Sequence, residues 1–274
     1  MIARGADQAG YVDTYTHGHA DAVLQSHRWR TAENSAGYLL PSLHSGQDLL
    51  DIGCGPGTIT VDLARLLAPG CVIGMDIAEA PLGEARRLAA DAGVTVEFRV
   101  GDVYRLPLLD DAVDVVHAHQ VLQHLTDPVA ALCEMVRVCR PGGVIAVRDV
   151  DYAAMTWFPA DEGLDAWLRL YSAVARRNGA EPDAGRRLRS WAHAAGLREF
   201  TATTSSWCYS TDAERDWWGR SWALRATASS FAEQAVSYEL AIPADLDEIA
   251  SAWLRWAAAD DGWLGMMHGE LLIH

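Results

Sequence analysis

The segment from residue 49 to residue 57 restricts the possible folds of this chain more than any other part of it. It reads Leu-Leu-Asp-Ile-Gly-Cys-Gly-Pro-Gly, an apolar run followed by glycines at positions 53, 55 and 57. A glycine turn after a buried strand lets backbone N–H groups approach a bound ligand closely, because no side chain stands in the way. The segment therefore predicts a strand followed by a site for a nucleotide-like molecule.

Two acidic residues close later apolar runs. Asp76 ends the run 71–76, and Asp102 follows the run 94–100. The carboxyl ends of parallel strands meet at one edge of a sheet, which is where ligands bind in open α/β folds. We therefore predict that the glycine turn and both carboxylates form one ligand site along that edge.

Strand-like apolar runs alternate with helical periodicity through the first 150 residues. Proline and glycine mark most of the breaks between them. Near-continuous apolar strands separated by helices are typical of a parallel, doubly wound α/β sheet. The predicted strands cover about residues 48–53, 71–76, 94–100, 113–118 and 143–150, and the predicted helices cover about 20–40, 57–68, 80–92 and 127–139.

The composition changes near residue 151, because ten of the eleven tryptophans lie beyond it. Helical patterns cover residues 159–195 and 211–258, and strand patterns cover about 197–209 and 262–273. We predict a seven-stranded, mostly parallel sheet whose last part carries a helical, Trp-rich cap within the same domain. One alternative is that the tryptophans line an apolar pocket, but their helical spacing favours packing in the core or in a dimer for most of them.

Charge and composition exclude several classes of protein. The net charge of −15 disfavours a nucleic-acid partner, which would require a cationic surface. Every basic residue is arginine, which excludes lysine Schiff-base chemistry and a P-loop lysine. No apolar run approaches the ~20 residues of a membrane span, and the first residues lack the apolar core of a secretory signal. We expect a cytoplasmic protein with five unpaired cysteines.

Several motifs taken together resemble those of class I S-adenosylmethionine-dependent methyltransferases, especially the small-molecule, ubiquinone/menaquinone-type branch. They are residues 50–58, Asp76, Gly101-Asp102-Val103, residues 114–125 and Arg140-Pro141-Gly142-Gly143. The resemblance covers about residues 20–150. It implies a Rossmann-like methyltransferase fold and transfer of a methyl group from S-adenosylmethionine, with S-adenosylhomocysteine as product. The acceptor atom would be O, N or C of a small, largely apolar molecule.

The resemblance also implies an organisation of the chain and a set of cofactor contacts. Residues 1–40 would form an N-terminal helical lid and residues 41–150 the cofactor-binding core. Residues 151–274 lie beyond the resemblance, and their composition and patterning predict the end of the sheet with its cap. A carboxylate can accept both hydrogen bonds of the ribose diol. The planar guanidinium of an arginine suits the amino-acid end of the cofactor, and Arg30 is the first candidate for this role and Arg28 the second. The implied contacts are Tyr15, Arg30, Gly53, Cys54, Gly55, Asp76, Ile77, Asp102, Val103, His119 and Gln120.

Two other functions are compatible with parts of this pattern. An NAD(P)-dependent oxidoreductase also carries a glycine turn followed by an acid, but its fingerprint requires glycine at position 58, where this chain has Thr58. A catalytically silent protein that binds S-adenosylmethionine would keep the same motifs. Release of S-adenosylhomocysteine distinguishes it from an enzyme.

The catalytic residues are less defined than the cofactor contacts. A general base must reach the acceptor proton, and the candidates are His19, His124, Asp151 and Tyr152, with catalysis by proximity alone as the alternative. His117 and His119 share a strand face, but no carboxylate has matching spacing, so we predict no metal site. The number of tryptophans makes a homodimer worth testing.

Overall fold

A computed structural model describes Asp13 and residues 29–274, and these contain one eight-stranded sheet flanked by helices. Its hydrogen-bonded order is β3-β2-β1-β4-β5-β8, with β6 and β7 also paired to β8. The strands are β1 (Leu49–Ile52), β2 (Val72–Asp76), β3 (Glu97–Val100), β4 (Val113–His119), β5 (Cys139–Val150), β6 (Thr156–Phe158), β7 (Phe200–Tyr209) and β8 (Trp263–Ile273).

Helices connect these strands and cover both faces of the sheet. The described part of the chain has α1 (Ala32–Ala36), α2 (Thr58–Leu67), α3 (Glu79–Ala92), α4 (Pro128–Val138), α5 (Glu162–Arg177), α6 (Ala184–Ala194), α7 (Asp212–Thr227), α8 (Ser230–Ser237) and α9 (Pro243–Ala258). None of the described helices is long and apolar enough to cross a membrane. The alternation of strand and helix confirms the predicted doubly wound α/β fold.

The sheet is parallel except for one strand. β1 to β5 pair in parallel with one another, whereas β8 pairs antiparallel with β5, β6 and β7. β8 therefore runs against the other seven strands, which confirms the mostly parallel sheet. The prediction of seven strands was one too few, because β6 has only three residues, which is too short for a strand pattern to be recognised in the sequence.

The fifth strand begins earlier than its sequence suggested. The sequence predicted a turn at Arg140-Pro141-Gly142-Gly143 and a strand that starts at about residue 143. In the structure, β5 begins at Cys139 and runs through that segment. Gly142 has a φ of +80°, a backbone conformation that glycine adopts at little cost, and the pairing with β4 shifts register beside it. The glycines thus form an irregularity within the strand instead of a break before it.

The Trp-rich helices form a second core over the ends of β5, β7 and β8. Helices α5, α7, α8 and α9 bring large aromatic side chains together with residues of those strands. The fully or nearly buried tryptophans are Trp167, Trp207, Trp218, Trp222, Trp253 and Trp256. Core packing, which the sequence favoured over pocket lining, is therefore the arrangement of most of them.

Candidate functional site

The glycine turn after β1 has backbone geometry that other residues rarely adopt. Gly53 and Gly57 have φ values of +66° and +80°, and a Cβ at Gly53 would collide with the Cγ2 methyl of Val121. A Cβ at Gly57 would lie 2.8 Å from the Cβ of Ala85. Gly57 also precedes the first turn of α2, so the turn leads directly into a helix N-terminus. The backbone here is open to a ligand on one side and closely packed on the other.

The Asp76 carboxylate faces this turn from the end of β2. Its Oδ2 accepts a hydrogen bond from the Gly55 N–H at 3.0 Å, and its Oδ1 accepts one from the Ala78 N–H, also at 3.0 Å. An ionised carboxylate has about four acceptor positions, which makes it a suitable partner for the two hydroxyls of a ligand diol. The next residue, Ile77, is exposed and available for contact with a ligand.

Asp102 lies at the neighbouring strand end. The N–H of Gly101 donates to the backbone oxygen of Asp76 at 3.0 Å, which ties the ends of β2 and β3 together. The Asp102 Oδ1 accepts from the Tyr104 N–H at 2.9 Å, while Val103 is buried beneath the loop. The three strand ends named by the sequence are thus brought to one edge of the sheet.

Gln120 follows β4 in a positive-φ conformation and connects three parts of the chain. Its N–H donates to the Arg148 carbonyl at 2.7 Å, and its Oε1 accepts from Arg30 at 2.8 Å. Its Nε2 lies 2.8 Å from Nε2 of His268 on β8. Arg30 and Gln120, predicted from separate segments, are therefore in direct contact.

His119 is buried at the end of β4, and its ring lies among other rings. The centroid distances are 5.5 Å to Trp207 and 6.2 Å to His268. Burial lowers the pKa of His119 well below its ordinary value, and the charges of Arg30 and Arg148 lower it further. The imidazole is therefore neutral at physiological pH and can donate through one nitrogen and accept through the other.

The described candidates for proton transfer differ in their surroundings. Burial, with a smaller effect of Arg30, lowers the pKa of His124 to about 3, and its Nε2 lies 2.9 Å from the Gln123 amide. Asp151 is fully buried in a bidentate ion pair with Arg186, whose Nε and Nη2 each donate to a carboxylate oxygen at 2.6 Å. Tyr152 packs in the aromatic core, with its ring 4.2 Å from that of Tyr171. These contacts weigh against each of the three as a base.

The remaining candidates fall outside the part of the chain that the structure describes. They are Tyr15, His19 and Arg28. Cys54 is described, and burial raises the pKa of its thiol above the ordinary range, which leaves it protonated and poorly nucleophilic. Among the described residues, no group of three or more His, Cys, Asp or Glu side chains has the geometry of a metal site.

Several polar contacts of this region were not identified from the sequence. Arg148 on β5 and Glu270 on β8 form a buried ion pair, with Nε and Oε1 3.3 Å apart. Asp51 and His117 pair at 2.7 Å beneath the glycine turn. Strand alternation places Arg148 on the same face as Ala146, but no local signal indicates its partner, because that partner is 122 positions away.

Asp149 is another buried acid at the end of β5. Its Oδ1 accepts from the Gln123 N–H at 3.1 Å, whereas its Oδ2 has no hydrogen-bond partner among the described residues. Burial raises its pKa to about 8. Between about pH 4 and pH 8 the Asp149 carboxyl is protonated in the folded protein and ionised in the unfolded chain. Because the unfolded chain binds fewer protons over this range, the contribution of Asp149 makes the free energy of unfolding fall as pH rises.

The Asp149→Asn variant is therefore expected to be more stable than the parent protein near pH 7, by about 1–2 kcal/mol. An asparagine imitates the protonated acid and does not ionise, so stability should fall less steeply from pH 5 to pH 8. Urea unfolding at a series of pH values measures both effects.

Asp114→Asn is the control, and it should destabilise the folded protein at pH 7. Burial raises the pKa of Asp114, but the hydrogen bond from Arg140 outweighs burial and holds the pKa below its ordinary value. An unchanged pH slope in Asp149→Asn would contradict the assignment.

Comparison with known proteins identifies the family. A family model described as a methyltransferase domain matches residues 43–209. An uncharacterized methyltransferase from Schizosaccharomyces pombe is 33% identical over 267 residues, covering 94% of this chain and 95% of that protein. A probable methyltransferase from Aspergillus luteorubrus is 28% identical and covers 96% of this chain and 98% of its own length.

Solved structures support the same fold. A putative methyltransferase from Bacillus halodurans aligns with a TM-score of 0.55 at 18% identity, covering 86% of this chain and 96% of that one. At this identity the likeness bears on the fold alone. The family is shown by the matching family model and by the Schizosaccharomyces pombe relative: this chain belongs to the class I S-adenosylmethionine-dependent methyltransferases, and S-adenosylmethionine is its cofactor.

Proposed function

We propose that this enzyme methylates a small, largely apolar acceptor at the carboxyl edge of its sheet. The observation that carries the proposal is the convergence of four strand ends at this edge. They present the glycine turn, the Asp76 carboxylate, Asp102 and the bonded pair Gln120–Arg30. Methyl transfer from a sulfonium requires in-line approach of the acceptor and little covalent chemistry by the protein, which suits a site that mainly positions its ligands.

The proposed placement of the cofactor follows the chemistry of each group. Asp76 accepts the ribose hydroxyls, because its carboxylate is already oriented by two backbone N–H groups. The adenine lies at Asp102 and Val103. The Arg30 guanidinium binds the amino-acid carboxylate, for which its planar fork is well suited. These assignments leave the methyl donor near Gln120 and His119.

When bound, the cofactor supplies a methyl group on a positively charged sulfur, and the methyl group leaves as the acceptor atom attacks in line. The acceptor atom would gain the carbon and release to solvent any proton that it carries, and the sulfur would be left as a neutral thioether. The protein orients the two reactants and excludes water. Because the described base candidates are engaged or poorly basic, we infer that proximity, and not a dedicated base, provides most of the catalysis.

An aromatic group beside Gln120 supports the apolar character of the acceptor. The Trp29 ring lies 5.2 Å from Trp207, 5.7 Å from Tyr209 and 6.1 Å from Trp217. Flat apolar surfaces with a few polar groups are typical of small-molecule pockets. We therefore place the acceptor between these rings and the end of β4, beneath the proposed lid of residues 1–40 and beside the cap of residues 151–274.

The surroundings of the enzyme are also part of the proposal. All five cysteines are unpaired, which suits a reducing compartment such as the cytoplasm. The net charge of −15 argues for a small molecule and against nucleic acid as the partner. A homodimer stays a prediction, and the tryptophans no longer argue for it because most are buried inside the subunit.

Ligand titration tests the proposal against both alternative functions. S-adenosylhomocysteine is expected to raise the melting temperature, with about 2.7 kcal/mol of stabilisation at a hundred times its dissociation constant. NAD and NADP should have no effect. Stabilisation by a nicotinamide nucleotide alone would refute the cofactor site described above. If the cofactor binds but a broad panel of small aromatic acceptors yields no S-adenosylhomocysteine, the result favours the silent binding protein.

A further inference from the structure

A cluster of buried polar side chains lies next to the proposed acceptor position. It consists of Tyr38, His119, Arg148, Trp207 and Glu270, which we name the Arg148 cluster. His119 on β4 is directly opposite Arg148 on β5, and Arg148 is directly opposite Glu270 on β8. The Arg148 guanidinium lies 4.9 Å from the centre of the Trp207 ring. Four strands, β4, β5, β7 and β8, therefore contribute to one polar group inside the protein.

Arg148 has more hydrogen-bond donors than the described residues satisfy. Its Nε donates to Ser205 at 3.0 Å and to Glu270 at 3.3 Å. Both terminal nitrogens are buried and have no partner among residues 29–274 or Asp13. Burial lowers the pKa of Arg148 to about 10, so the group remains charged at neutral pH. A buried guanidinium with two unbonded nitrogens is costly, and such a group requires an explanation.

Two neighbours of Arg148 show the same deficit of acceptors. The Tyr38 hydroxyl and both ring nitrogens of His119 are buried without a partner in the described part of the chain. Burial raises the pKa of Tyr38, so its hydroxyl is a donor at physiological pH, and it lies close enough to Arg148 to sense that charge. The cluster thus offers donors on three side chains and lacks a matching acceptor.

Two carboxylates of this region are already engaged, and a third, Asp149, keeps its proton near neutral pH because burial raises its pKa to about 8. Glu270 accepts from Arg148 and Ser205 through Oε1, and from Thr203 through Oε2 at 2.7 Å. Asp51 is bonded to His117 and to the hydroxyl of Thr60. Glu270, the ion-pair partner of Arg148, therefore already accepts through both of its oxygens. Donors therefore exceed acceptors around Arg148, and an anionic oxygen is the strongest acceptor for a guanidinium N–H.

The location of the cluster ties this anion to the acceptor. The Arg148 carbonyl accepts the Gln120 N–H at 2.7 Å, and Gln120 is bonded to Arg30, which the proposed function assigns to the cofactor. Arg148 remains without such a role. We propose that Arg148, with Tyr38 and His119, binds an anionic oxygen of the acceptor, so that the substrates are acidic molecules: carboxylates, or phenols and enols that ionise beside the guanidinium. This inference rests on the proposed function.

Paired probes of equal shape test the proposal. Benzoate and benzamide differ in charge but hardly in size, and calorimetric titration into protein saturated with S-adenosylhomocysteine gives the affinity of each. We expect benzoate to bind the parent protein at least ten-fold more tightly than benzamide, since hydrogen bonds to charged groups are the stronger ones. Arg148→Met should abolish this preference, and Tyr38→Phe should reduce it several-fold while leaving the charge in place.

Arg225→Met is the matched control. Arg225 is also a buried arginine over a tryptophan, 5.0 Å from the Trp222 ring, but it lies in the Trp-rich helices. Its replacement should leave the preference for benzoate unchanged. Equal binding of the two probes to the parent protein, or a preference that survives in Arg148→Met, would overturn the proposal. If Arg148→Met does not fold, Tyr38→Phe decides, because an unaltered preference there also overturns it.

Binding of S-adenosylhomocysteine is measured first in every variant. Failure of the parent protein to bind it would count against the proposed function itself. Normal binding of S-adenosylhomocysteine together with no preference for the anion would refute only the role of Arg148. The two failures are therefore distinguishable.

Discussion

Replacement of Asp76 by alanine is expected to weaken the binding of S-adenosylmethionine by roughly 10- to 100-fold, because hydrogen bonds to a charged group contribute about 1.5–3 kcal/mol. The variant loses the acceptor for the ribose diol and also the two backbone bonds that hold the Gly55 and Ala78 N–H groups. Asp76→Asn, which keeps one acceptor oxygen, should fall between the parent protein and the alanine variant. Calorimetric titration with S-adenosylhomocysteine measures all three.

Asp48→Asn is the matched control for this experiment. Like Asp76, Asp48 accepts a backbone N–H, that of Cys71 at 3.0 Å, but it precedes β1 and therefore lies at the opposite edge of the sheet. Its variant should bind the cofactor as the parent protein does. Unchanged affinity in Asp76→Ala would count against the ribose assignment and would move the cofactor away from the end of β2.

The second large effect is expected from Trp253→Ala, which should lower the free energy of unfolding by about 3–5 kcal/mol. Trp253 is completely buried between α9 and the neighbouring helices, and it packs against Trp167 at 4.8 Å, Trp256 at 5.7 Å and Trp222 at 5.8 Å. Alanine would leave a cavity lined by rings that cannot collapse into it. Urea denaturation followed by circular dichroism measures the loss.

Trp263→Ala provides the comparison, because Trp263 is 40% exposed at the start of β8. We expect a loss of about 1 kcal/mol or less, since surface substitutions away from special features have small effects. Equal destabilisation by the two substitutions would show that the buried rings do not carry the stability of this layer. Trp253→Phe should recover part of the loss by filling some of the cavity.

The parts of the site that could be predicted are those encoded within a short stretch of chain. Asp76 and Asp102 each follow an apolar run directly, so their position at the sheet edge follows from strand direction alone. The glycine turn is equally local. The parallel sheet could be predicted for the same reason, because each strand and helix has its own period and its own stop signal.

The Arg148 cluster could not be predicted, because it depends on pairing between distant segments. Ser205 is 57 positions from Arg148, and Glu270 is 122 positions away. Each of these residues lies in a strand whose alternation is visible, but the register that brings them opposite one another is set by the whole sheet. The short strand β6 was missed because three residues carry no period.

The reversed strand β8 has a consequence for the order in which this protein is assembled. β5 ends at Val150, and its free edge pairs with β8, which begins at Trp263. Until that later segment has been synthesised, β5 presents an unpaired edge of apolar residues, and β6 and β7 have no sheet partner at all. Open edges of this kind invite pairing with other chains. The first half of the sheet can therefore form early, whereas β5, β6 and β7 depend on a single late strand to close the edge against aggregation.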